Sequence, residues 1–152
     1  MPSYFLDTSA LAKAYRAEAG TDKVEKILAE PGSRIFISSL TCVEFQSVFA
    51  QKVRAGEATL ADFELLRKKF GDDLKSKRIV VKTLYRRHQQ AAEKLIAAHG
   101  PFRRLRTLDA LQLAMAIELN GTGTTDHFVV ADVHLAAVAS LEGISVINPE
   151  IP

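Results

Sequence analysis

A chain of 152 residues with 47% hydrophobic and 25% charged content can bury a core and is too apolar to stay disordered. No apolar run approaches the roughly 20 residues needed to span a bilayer, and the N-terminus lacks a signal-peptide pattern, so a soluble, cytoplasmic chain is expected. A net charge of +2 does not by itself announce a nucleic-acid binder, and the lone Cys42 excludes an intrachain disulfide and a cysteine-rich zinc site.

The chain opens with a short apolar run, Tyr4-Phe5-Leu6, that stops at Asp7. Thr8 to Ala17 reads as a helix ending near Gly20, and Thr21 as the N-cap of a second helix closed by Pro31-Gly32. Arg34 to Ser38 is β-branched and apolar, the mark of a second strand. A long helix, Leu40 to Ala55, ends at Gly56, and a fourth follows over Thr59 to Lys77. The apolar stripe of that fourth helix is Leu60, Phe63, Leu66, Phe70 and Leu74, so the two helices form a hairpin around Gly56-Glu57-Ala58.

Arg78 to Leu84 supplies a third strand around Ile79-Val80-Val81, and Arg86 to His99 another helix. Gly100-Pro101 breaks the chain before a basic loop with Arg103, Arg104 and Arg106. Thr107 reads as the N-cap of a helix over Leu108 to Leu119, closed by Asn120-Gly121. That helix is apolar almost all round, which predicts burial. Phe128 to Ala131 forms a fourth strand ending at Asp132. Helix Val133 to Leu141 follows, and Ile144 to Ile147 is the last strand. Asp126 falls in a loop. Strands and helices alternate throughout, predicting one domain over residues 1–152: a three-layer α/β/α sandwich on a mostly parallel sheet.

Four acids hold comparable places. Asp7 and Asp132 follow strands, whose carboxyl ends border the ligand crevice of such sheets. Asp109 lies in a first helical turn, where the dipole also favours a carboxylate. Glu44 sits in the row Leu40, Glu44, Val48, with Thr41 and Ser47 three residues away and no basic neighbour at helical spacing. Burying an unpaired carboxylate costs several kcal/mol, so a metal or a distant arginine is expected to compensate it. If the four meet, each like-charged pair at about 4 Å and an effective dielectric near 20 costs roughly 4 kcal/mol. Oxygen-only ligands favour Mg²⁺, with Mn²⁺ as a substitute. Metal-assisted phosphodiester hydrolysis needs no nucleophilic side chain, and the chain has no G-x-S-x-G elbow and no phosphate-binding loop.

Leu6-Asp7-Thr8-Ser9-Ala10-Leu11, the mid-helix Glu44, Arg106 to Ala114 around Asp109, and Ala131-Asp132-Val133-His134-Leu135 together resemble the ordered acidic motifs of PIN-domain ribonucleases. The similarity is greatest to VapC-type toxins of toxin–antitoxin pairs. It implies a Mg²⁺-dependent endoribonuclease, held inactive by a cognate antitoxin and commonly dimeric. Metal ligation passes first to Asp7 and Asp109, with Glu44 and Asp132 completing the catalytic site. Ser9 matches a hydroxyl residue that orients a ligand or water. The likeness departs at Val130, where relatives often carry Thr or Ser, and at Val133-His134, where a basic pair is usual. Arg103, Arg104 and Arg106 are candidates to grip RNA phosphates.

Two rivals stand beside this reading. One is a catalytically silent module of the same fold that binds RNA or protein. The other is a phosphatase using Asp7 as nucleophile, although Ser9 occupies the place where haloacid-type hydrolases carry a second Asp.

Overall fold

A computed structural model describes residues 1–152. Five strands, β1 (Ser3–Leu6), β2 (Arg34–Ser38), β3 (Val80–Lys82), β4 (His127–Val129) and β5 (Val146–Ile147), lie in the order β3-β2-β1-β4-β5. Every pairing is parallel, so all strands end on one side. The chain runs outward from β1 to β2 and β3, then returns across β1 to β4 and β5. A switch point therefore lies between β1 and β4, where side chains beyond the strand ends face an open crevice.

The period-2 alternation of the strands divides the core into two halves. Phe5, Phe36 and Phe128 point to one face with residues of α5 (Arg86–His99), α6 (Thr107–Gly121) and α7 (Val133–Leu141). Tyr4, Leu6, Ile35, Ile37 and Val129 point to the other, with α1 (Thr8–Ala12), α2 (Thr21–Ala29), α3 (Ser39–Arg54) and α4 (Leu60–Lys75). Because both faces are covered, the central strands are apolar on both sides, as a parallel sheet requires. This is the expected three-layer sandwich.

Local chemistry sets the helix ends. Ser38 caps α3 by accepting from the Leu40 N–H at 3.0 Å. The α3–α4 hairpin turns at Gly56, whose φ of +75° suits a residue without a Cβ. A reciprocal Thr59–Asp62 capping box starts α4. Phe45, adjacent to Glu44, is fully buried and packs against Tyr15, Phe49 and Phe70, which anchors α3 to α4 and to the turn after α1.

Several expectations need correction. The first helix ends at Ala12. Lys13, Ala14 and Tyr15 instead donate to carbonyls three residues back, a tighter turn that delivers Tyr15 to the aromatic cluster. Gly20 occupies the N-cap position of α2, while Thr21 Oγ1 donates to the Lys13 carbonyl at 2.8 Å and ties the α1–α2 connection. Arg106, not Thr107, is the N-cap of α6, without a side-chain bond. β4 stops at Val129, so Asp132 stands three residues beyond the strand. Leu60 is 66% exposed and leaves the apolar stripe of α4. Asp126 is a loop residue as expected, and it receives the Ser3 N–H at 2.9 Å and Ser3 Oγ at 2.8 Å. No helix is long and apolar enough to cross a membrane.

Candidate active site

Asp7, Glu44, Asp109 and Asp132 all line one hollow of about 180 Å³ beyond the ends of β1 and β4. The topology brings them there: Asp7 follows β1, Asp132 precedes α7, and α3 and α6 approach from opposite layers. No three of the carboxylates close into a finished ligand set in this arrangement. Ser9 lies at the same hollow.

Asp7 is 5% exposed and caps α1, its Oδ1 accepting from the Ala10 N–H at 2.9 Å. Ser9 Oγ donates to the same carboxylate, 2.8 and 2.9 Å from its two oxygens. Burial pushes the Asp7 carboxyl up to about 7; the bonds from Ala10 and Ser9 pull it back, and the charges of Asp109 and Glu44 push it up again. Asp109 is raised as well, chiefly by burial and then by the charges of Asp132 and Glu44, while Arg106 draws it down. Asp132 is exposed, and its Oδ1 accepts from the N–H groups of His134 and Leu135, both at 2.9 Å. Its other oxygen has no protein donor.

Glu44 is compensated differently from expectation. Neither an arginine nor another cation pairs with it. Neutral donors do: Thr8 Oγ1 and Gln112 Nε2 each lie 2.8 Å from Glu44 Oε1. Thr8, Thr41 and Gln112 were not singled out as site residues from sequence. The available signal was Gln112, a polar residue one helical turn after Asp109 in a helix otherwise apolar through its middle.

Arg103, Arg104 and Arg106 are exposed in the segment leading into α6. Lys13 was also missed. It is 4% exposed and joins Glu18 at 3.0 Å and Glu150 at 2.9 Å, so its charge is spent holding the α1–α2 connection to the C-terminal segment.

A parallel α/β domain with its acids gathered at the switch point is defined by these observations. The chain belongs to the PIN domain family, whose model matches residues 4–130. Solved structures share the fold at low identity. The Mycobacterium tuberculosis VapC20 toxin, described as cleaving the sarcin-ricin loop, aligns at TM-score 0.68 and 16% identity over 96% of this chain and 99% of that one. VapBC2 from Rickettsia felis, bound to a promoter DNA fragment, aligns at 0.66 and 15% over 96% and 98%. FitAcB from Neisseria gonorrhoeae aligns at 0.65 and 14% over 98% and 99%. Comparison with curated proteins found no match.

Proposed function

We propose that residues 1–152 form one nuclease unit, a Mg²⁺-dependent endoribonuclease that cleaves RNA phosphodiester bonds as the toxin of a toxin–antitoxin pair. The observation that carries this reading is the joint presence of Asp7, Glu44, Asp109 and Asp132 around one small hollow. Two of those carboxyls, Asp7 and Asp109, are raised chiefly by burial and then by the charges of neighbouring carboxylates. Such a group is costly by itself and balanced by a hard cation, so the donor set fits Mg²⁺ or Mn²⁺.

Asp7 and Asp109 would hold the principal cation, and Glu44 and Asp132 would complete its surroundings. When bound, the cation would supply charge neutralisation at the phosphodiester and lower the pKa of water, so that it gives up a proton and attacks as hydroxide. The chain's own residues set the stage. Ser9 holds the Asp7 carboxylate through its hydroxyl. Asp132 spends one oxygen on capping α7 and keeps the other free, where it can accept a proton from water. Arg106, whose charge reaches Asp109, would grip a phosphate beside the hollow together with the exposed Arg103 and Arg104.

Cleavage of labelled RNA by the purified protein in Mg²⁺, abolished by EDTA and restored by Mn²⁺, is the expected result. Binding of RNA without cleavage in Mg²⁺ would establish the silent-module alternative instead. The fold likeness to VapBC2 and FitAcB supports a protein antitoxin as partner, and a homodimer belongs to the same proposal. Co-purification with the product of an adjacent gene and light scattering of the isolated protein test these two points.

A further inference from the structure

Glu44 is held on one side only. Its Oε1 accepts from Thr8 Oγ1 and Gln112 Nε2, each at 2.8 Å, and its Oε2 has no protein donor. Gln112 is 2% exposed and its Nε2 also lies 2.8 Å from the fully buried Thr41 Oγ1. A primary amide nitrogen carries two hydrogens, so one is committed to Glu44 and the other to Thr41. The orientation of the amide follows from charge: turned over, its carbonyl oxygen would face the Glu44 carboxylate, two acceptors without a proton between them.

Gln112 Oε1 is meanwhile buried without any partner. An unsatisfied buried carbonyl destabilises a fold, and an apolar side chain of similar length would avoid that cost. Gln112 is therefore poorly explained as a packing residue. Its donors serve Glu44, and they do so from α6, one turn after Asp109. Together Thr8, Glu44 and Gln112 tie α1, α3 and α6 at one oxygen atom.

We propose that Gln112 is a positioning residue of the acidic hollow: with Thr8 it fastens Glu44 through Oε1 and leaves Oε2 as the oxygen available to a divalent cation. This rests on the nuclease reading above. A glutamate has three side-chain torsions, and fastening one oxygen removes most of that freedom before a cation arrives. The tie also sets the spacing between the helices that carry Glu44 and Asp109. Partners that orient metal-binding carboxylates characteristically change affinity by about 10–100-fold when lost.

The test is Mn²⁺ titration by calorimetry on the full-length protein, alongside kcat and KM for RNA cleavage. Gln112→Met keeps the length and removes both donors. It should weaken Mn²⁺ binding about tenfold, lower kcat at limiting Mn²⁺ with KM for RNA little changed, and lower the melting temperature of the metal-free protein only modestly, because Glu44 keeps its Thr8 donor. In a Glu44→Gln background the same substitution should add less than about a twofold further loss, because the group it positions is gone. Gln112→Asn, which draws the amide back by one methylene, should show the same affinity loss and serves if the Met variant does not fold. Undiminished Mn²⁺ affinity in either folded variant overturns the assignment, as does an equal loss with and without Glu44. A wild-type protein that binds Mn²⁺ but leaves RNA intact would sink the nuclease reading alone. A wild-type protein that binds no Mn²⁺ would sink both.

Discussion

Asp7 and Asp132 stand just beyond the ends of two hydrogen-bonded neighbours, β1 and β4, and each caps the helix that follows it. Capping and site membership are thus compatible roles. A cap uses one carboxylate oxygen to satisfy backbone N–H groups in the first turn, and the side chain still lines the hollow. The helix start also fixes the side chain's direction, which a surface carboxylate would lack.

The burial of Asp7 makes metal-free stability depend on pH. Its folded-state carboxyl titrates at about 7, above its unfolded value. Between roughly pH 4, the ordinary carboxylate range, and pH 7 the folded state holds a proton that the unfolded chain has released. Stability therefore falls as pH rises through that window and stays low above it. Asp7→Asn should raise the melting temperature of EDTA-treated protein at pH 8 by roughly 5 °C, and the difference should vanish near pH 4. Thermal denaturation across pH checks this.

Asp109→Asn removes one of the crowded charges while keeping size and polarity. Cleavage should fall by at least about a hundredfold, the scale on which a preorganised electrostatic contact acts. Metal-free protein should be as stable or more stable. A large drop in its melting temperature would give Asp109 a structural hydrogen-bonding role instead.

Replacing Arg103, Arg104 and Arg106 together with Ala should weaken RNA binding across sequences and flatten its salt dependence. Each lost phosphate contact to a single strand removes about 0.7 from the slope of log K against log salt. Filter binding from low to high salt, with catalysis blocked by Asp109→Asn, reads the change. An unchanged slope would remove these arginines from the interface.

Phe45 is fully buried among three aromatic rings directly beside Glu44. Phe45→Ala should cost about 3–5 kcal/mol, seen as a lower midpoint in urea. Because α3 carries Glu44, Mn²⁺ affinity should fall as well.

On the opposite layer, Arg87 makes two bonds to Glu118, at 2.8 and 2.9 Å, and clamps α5 to α6. The Arg87 bonds outweigh burial, the next largest influence, and with the help of His88 hold the Glu118 carboxyl down at about 2. A lowered carboxyl stabilises above its unfolded value and loses that contribution as pH falls toward 2. Glu118→Gln should melt below wild type at pH 7, and the gap should close as the pH drops from about 4 toward 2.

The acids and their order were legible because each sits at a locally marked place: Asp7 and Asp132 after apolar runs, Asp109 in a first turn, Glu44 in a helical row without a cation. The alternation of strand and helix patterns likewise implied a parallel sheet with covered faces. Boundaries were less legible. Thr21 and Thr107 carry good capping side chains, yet Gly20 and Arg106 hold the cap positions, and Thr21 answers to the Lys13 carbonyl instead. Tertiary demand on a hydroxyl outweighed its local preference.

By itself, then, the sequence determined the layered class of fold and which carboxylates were candidates, since periodicity and capping chemistry act within a few residues. Only the tertiary structure decided that β1 and β4 are neighbours, that the switch point falls between them, and that Gln112 reaches across to Glu44. Those relations join residues 68 and 123 positions apart, and nothing in local propensity encodes a distance between segments that meet only once the sheet has assembled.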